Sequence, residues 1–168
     1  DCFATMAFAA LDKVLPCDTH KKIAVNTFEN IIRRQRNWKG TYNKAYPGTR
    51  HLKNFALPMI LCNLSLELEH IIGKERVDQF IPTIIHEVMD VFYQPQLGLI
   101  LENVHEDGSF CDSYEGRLMN PGHAIEAMWF IMDLGKRLQD EALINKACNI
   151  MLNTLEHGWD KEYGGIFY

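Results

Sequence analysis

The chain has 168 residues, 47% of them apolar and 23% charged, with 17 basic side chains against 22 acidic ones and a net charge of −5. These figures exclude a disordered or low-complexity chain and leave no basic footprint for nucleic acid or an anionic membrane. No apolar run approaches the ~20 residues of a membrane span, and five cysteines without regular spacing argue for buried thiols in a reducing, cytoplasmic setting rather than a disulfide framework.

Hydrophobic periodicity predicts six helices in chain order. The first, Phe3 to Leu15, is apolar on nearly every side. The second, Thr19 to Asn37, carries a looser stripe through Ile23, Ala24, Thr27, Phe28, Ile31 and Ile32, and its basic run Arg33-Arg34-Gln35-Arg36 suits a helix C-terminus. The third, Phe55 to Leu68, is again apolar all round. The fourth, Lys74 to Phe92, has the cleanest stripe, from Val77 through Ile81, Ile84, Val88 and Phe92, with Pro82 expected to bend it. The fifth, Ala124 to Leu134, is apolar all round. The sixth, Glu141 to Leu155, repeats the stripe with Leu143, Ile144, Ala147, Cys148, Met151, Leu152 and Leu155. Cys2, Cys62 and Cys148 sit in apolar helical contexts and read as buried.

A helix that is apolar on all sides is expected to be enclosed, and a striped one half-exposed. The chain alternates the two kinds three times, and each striped helix is followed by a Gly-bearing loop: Trp38-Lys39-Gly40, Gln94 to Gly98, and Trp159 to Gly165. Gly98 and Gly165 both precede short β-like runs. The expected fold class is all-α, an α/α toroid seen as three helical hairpins with long loops and short β-like turns. A superhelical solenoid of the tetratricopeptide kind is the competing architecture, disfavoured by the long loops. Asp1 runs straight into apolar sequence and the chain stops within Gly164-Gly165-Ile166-Phe167-Tyr168, so residues 1–168 read as one partial domain cut from a longer chain.

The densest chemistry lies in Glu115-Gly116-Arg117-Leu118-Met119-Asn120-Pro121-Gly122-His123-Ala124-Ile125-Glu126. Asn120 followed by Pro121 is a strong helix start, with Asn as N-cap and Pro at the first helical position. His123 then falls at the third position, with Glu126 three residues on along the same face. An imidazole there can accept a proton, with Glu126 to orient it and Arg117 nearby on the loop. The competing reading makes His123 and Glu126 a satisfied core pair. His86-Glu87 with Asp90 lacks the second histidine of a zinc-protease helix and reads as a solvated face. Glu102, Glu106, Asp107, Asp112 and Glu115 crowd one loop and suggest the paired carboxylates of a glycosidase. Trp38, Trp129 and Trp159 are candidate walls of a sugar pocket.

The chain resembles the N-acylglucosamine 2-epimerase family, which includes renin-binding protein. The matching stretches are Asp1-Cys2-Phe3-Ala4-Thr5-Met6-Ala7, Leu57-Pro58-Met59, Leu101-Glu102-Asn103-Val104, Asn120-Pro121-Gly122-His123-Ala124-Ile125-Glu126-Ala127-Met128-Trp129-Phe130, Gly158-Trp159-Asp160 and Gly164-Gly165-Ile166-Phe167-Tyr168. The resemblance implies an (α/α)6 barrel, of which about half is present. It also implies interconversion of N-acetylglucosamine and N-acetylmannosamine, without metal, by removal and return of the C2 proton. By that resemblance His123 is one of two proton-transferring histidines, the other lying in a stretch this chain lacks. Glu126 shares the catalytic site, and Arg117, Glu102 and Asn120 bind substrate. ATP is implied as an allosteric activator and a homodimer as the assembly. Two other functions remain open at this level: a toroid glycoside hydrolase or lyase using loop carboxylates, and a protein-interaction module of the renin-binding type.

Overall fold

A computed structural model describes residues 1–36 and 52–167. The loop Trp38-Lys39-Gly40, with Trp38 as a pocket candidate, and the last residue of the final β-like run lie outside the described residues. Six α-helices form among the described residues: α1 (Cys2–Val14), α2 (Asp18–Arg36), α3 (Ala56–Ile72), α4 (Lys74–His86), α5 (Pro121–Leu138) and α6 (Glu141–Gly158). Among the described residues strand structure is confined to two-residue ladders and one isolated bridge, so the fold class is all-α, as the periodicity predicts. None of the described helices is long and apolar enough to cross a membrane.

Contacts divide the chain into two compact units, Asp1–Arg50 with Leu64–Phe80 and His51–Asn63 with Ile81–Tyr168. In the first, α1 and α2 form a hairpin whose far ends are tied by the Asp1–Arg34 ion pair. Ala24, Phe28 and Ile31 of α2 are buried together with Leu64, Leu68 and Val77, and Phe28 meets Phe80 edge to face at 5.7 Å. Arg76 caps this cluster, pairing with Glu29 and lying over the Phe28 ring. The basic run occupies the last turns of α2, as its position predicts.

Helix α1 departs from expectation. Its sequence suggests enclosure on most sides, yet only Thr5, Ala9 and Asp12 are buried, while Phe3 and Val14 are 75% and 84% exposed. Residues 5, 9 and 12 form one narrow strip at helical spacing, and beside it Phe8 lies against the His20 ring with centroids 6.1 Å apart. Asp12 is buried because it is used: its carboxylate accepts the Cys17 amide proton at 2.9 Å and lies 3.6 Å from the His70 ring.

In the second unit, α4 continues past Pro82 and widens into a π-helical segment at Glu87–Phe92. Val88, Met89 and Phe92 of that segment are buried, and Phe92 packs on Phe55 with ring centroids 5.2 Å apart. The chain then folds back in an antiparallel ladder, β2 (Tyr93–Gln94) against β3 (Leu99–Ile100). Gly98 turns the corner at φ +68°, a conformation that favours glycine. Near the end of the chain Gly165 sits at φ +101° and Ile166 bridges back to Trp159, so the two glycine turns are similar. A second ladder joins β1 (Lys53–Asn54) to β4 (Asn103–Val104), with Lys53 bonded to both Glu87 oxygens at 3.0 Å.

Helices α5 and α6 pack against each other as a second hairpin. Helix α5 is buried along Ala124, Ala127, Met128, Phe130, Ile131, Leu134 and Gly135, in line with its uniformly apolar sequence. Helix α6 buries Ala147, Ile150, Thr154 and Gly158; of the predicted stripe Ala147 is buried, Leu143, Ile144, Cys148 and Met151 are half-buried, and Leu152 and Leu155 are exposed. Gly158 lets the end of α6 approach Pro121 more closely than a larger side chain would. Of the thiols expected to be buried, Cys62 is, whereas Cys2 and Cys148 are partly exposed; Cys111 is also buried and Cys17 partly exposed.

Two outcomes test this packing. Gly135 faces Ile144, whose Cγ1 would lie 2.7 Å from an added Cβ. Alanine ordinarily improves a helix interior by about 1 kcal/mol, but overpacking costs about 1–3 kcal/mol. Gly135→Ala should therefore lower stability by about 1 kcal/mol in denaturant unfolding of the full-length protein; a gain would contradict the close crossing. The thiols should separate by reactivity. The Thr19 and His20 amides and the Thr19 hydroxyl hold the Cys17 thiol below its usual range, while burial pushes that of Cys62 far up. Because the thiolate is the nucleophile, limiting iodoacetamide should label Cys17 before Cys62 in folded protein, as peptide mass mapping will read.

Candidate active site

The first turn of α5 is built as its sequence predicts. Asn120, with extended backbone, is the N-cap, and its side-chain oxygen accepts the His123 amide proton at 3.3 Å. Pro121 opens the helix without a lost hydrogen bond and packs so closely on Gly158 that a Cβ there would come within 2.6 Å of its ring. His123 is thereby fixed at the third helical position, its side chain 38% exposed.

The carboxylate on His123 is Glu102, not Glu126. Nδ1 of His123 lies 2.9 Å from Oε1 of Glu102, and Glu102 is only 7% exposed. Helical side chains lean back toward the N-terminus, so His123 turns toward the preceding loop, where Glu102 sits. The backbone of Glu102 is tied on both sides. Its N–H donates to the Leu118 carbonyl at 2.9 Å, and its carbonyl accepts from the Phe55 amide at 2.9 Å and the Asn54 side chain at 3.3 Å. Glu126 is half-buried, and its carboxylate makes no hydrogen bond with the described residues.

The other loop candidates do not join His123. Arg117 is 63% exposed and pairs with Asp112, Nε to Oδ1 at 2.7 Å. Asp107 accepts the Ser109 hydroxyl and amide protons, contacts that hold its carboxyl below the usual range. Asn103 donates to the Glu115 carbonyl at 2.9 Å, and Glu106 is exposed. The Asp107 and Asp112 carboxylates thus serve the loop itself, whereas that of Glu102 does not. Between them, Gly116 lies against Cys111, whose carbonyl oxygen would stand 2.0 Å from an added Cβ, so only glycine fits there.

Of the aromatic candidates, Trp129 is 56% exposed on α5 beside Phe130. Trp159 lines an open groove of about 600 Å³ with Leu97, Asn153, Glu156, His157 and Lys161. His123 and Glu102 do not line that groove. His86 and Asp90 pair at 2.9 Å on the surface, in keeping with a solvated face. Among the described residues no three His, Cys, Asp or Glu side chains converge to hold a metal ion.

The contact between Glu102 and His123 is one that the residues alone did not pair. A signal for it exists. Glu102 is an acid inside the apolar β-like run Leu99-Ile100-Leu101-Glu102-Asn103-Val104, and a buried acid needs a donor.

The arrangement joins an imidazole of intermediate exposure to a buried carboxylate at a helix start, which suits proton transfer to or from a bound molecule. Comparison with known proteins agrees with the sequence motifs. N-acylglucosamine 2-epimerase of Rattus norvegicus is 32% identical over 173 residues and that of Homo sapiens 31% over 176, in each case across all of this chain. The chain spans 41% and 40% of the length of those relatives. A crystal structure of a sugar epimerase from a ruminal bacterium superimposes with a TM-score of 0.71 at 18% identity, covering 94% of this chain and 43% of that one. The fold is thus of the α/α-toroid type rather than a solenoid. The family model for N-acylglucosamine 2-epimerase matches residues 1–168 in full, and the chain belongs to that family.

Proposed function

We propose that this chain is part of a sugar 2-epimerase that interconverts N-acetylglucosamine and N-acetylmannosamine. The observation that carries the reading is His123, held at the start of α5 with part of its ring exposed and a buried carboxylate behind it. Membership in the N-acylglucosamine 2-epimerase family supports an amino sugar as the substrate class. ATP as an activator and a homodimer as the assembly belong to the same proposal, on the resemblance alone.

Opening the sugar ring exposes an aldehyde at C1 and acidifies the C2–H bond. One base takes that proton, and the electron pair moves into the C1–C2 bond as the carbonyl oxygen becomes an enolate oxygen. An acid then returns a proton to C2 from the opposite face, restoring the carbonyl with C2 inverted and no net oxidation. Such a reaction needs a proton carrier on each face, and imidazole suits both roles near neutral pH. In this proposal His123 serves one face and a second histidine, supplied by the longer protein, serves the other. Glu126, whose carboxylate is not engaged by the described residues, is assigned to hydrogen-bond sugar hydroxyls. Asn120 has its oxygen on the helix cap, so its amide is the part left for substrate.

His123→Asn in the full-length protein should lower net epimerisation by about 10²–10⁴-fold, the usual loss for one acid–base group. In deuterated water the variant should still label the C2 position of one epimer without converting it to the other. Glu126→Gln should cost less than His123→Asn. Net epimerisation near the parent rate in the His123 variant would reject the assignment.

A further inference from the structure

We infer that Glu102 is a positioning residue that fixes the tautomer of His123, rather than a group that binds sugar. Three observations converge on it. Nδ1 of His123 stands 2.9 Å from Oε1 of Glu102, and Nε2 makes no hydrogen bond with the described residues. An ionised carboxylate can only accept a hydrogen bond. The proton of the neutral ring therefore sits on Nδ1, and Nε2 presents its lone pair outward. That is the form a base needs.

The second observation is that Glu102 cannot easily turn elsewhere. It is 7% exposed, its own N–H and C=O are both engaged, and its loop segment is pinned to Leu118 on one side and to the start of α3 at Phe55 on the other. A mobile surface acid would exchange partners with solvent; this one is held in one place. Burial also argues against a direct substrate role, since a carboxylate that bonds sugar hydroxyls has to face the cleft.

The third is the position of His123. Its backbone amide is held by the Asn120 cap while its ring is held by Glu102, so the residue is fixed from two directions. Free rotation about its side-chain bonds would otherwise let either nitrogen face the sugar. Glu102 removes that choice. The sequence does place acid in reach elsewhere, at Glu126, but that carboxylate makes no bond to the imidazole.

The inference rests on His123 as the proton carrier of the proposed reaction, and the test separates the two. In the full-length protein labelled with ¹⁵N-histidine, two-bond ¹H–¹⁵N spectra in alkaline buffer report which nitrogen bears the proton. His123→Asn identifies the signal by its loss. The expected result is a protonated Nδ1 and an unprotonated Nε2 in the parent. Glu102→Gln keeps an accepting oxygen and should retain that pattern, whereas Glu102→Ala should lose it. Turnover should follow, with kcat falling about 10–100-fold in Glu102→Ala at nearly constant KM, the scale on which outer partners of a functional histidine act, and most of it recovered in Glu102→Gln. A proton on Nε2 in the parent overturns the inference. So does an unchanged tautomer in Glu102→Ala, or a raised KM with kcat preserved. Should the alanine variant fail to fold, the parent and Glu102→Gln spectra decide alone. Should the parent show no epimerase activity, the proposed function fails while the spectra still decide the role of Glu102.

Discussion

The Glu102 carboxylate is nearly enclosed, and an acid stays in such a place only where donors meet it. Leaving a buried acceptor unmatched costs about 1–3 kcal/mol, and more for a charged one. His123 supplies the side-chain donor, while the backbone of Glu102 binds Leu118 and Phe55. One residue therefore joins three segments of its unit: the approach to α3, the loop before α5 and the first turn of α5. The long loop is organised around that junction.

The scaffold behind this junction is rigid for separate reasons. The π-helical segment at Glu87–Phe92 brings the Phe92 carbonyl to the Leu101 amide, one residue before Glu102. Pro121 is seated on Gly158, so the start of α5 and the end of α6 fix each other. By contrast the Arg117–Asp112 pair lies in solvent, where such contacts contribute about 0–1 kcal/mol. The loop thus has a tightly held inner edge, at Glu102, and a loosely held outer one, at Arg117.

Much of this was legible from residues alone because it is local. The six helices follow from apolar spacing, and the start of α5 from Asn120-Pro121. The paired glycine turns at Gly98 and Gly165 follow from the β-like runs behind them. Legibility failed where a helix had more apolar surface than its unit covers. Helix α1 looks enclosed by composition, yet its buried strip is Thr5, Ala9 and Asp12. In α6 Leu152 and Leu155 of the predicted stripe lie outside while Ile150 and Thr154 lie inside, because the neighbour selects the face that permits the closest approach.

The sequence by itself determined the helical class, the capped helix that carries His123, and the family to which the chain belongs. These depend on spacing within a turn or two, or on a contiguous motif. Only the tertiary structure decided which acid meets the imidazole. Glu126 is the neighbour along the helix, three residues away, whereas Glu102 is 21 residues distant and reaches His123 through the path of the loop. Periodicity describes one helix at a time. The partner of His123 is set by hydrogen bonds between segments that no periodicity connects.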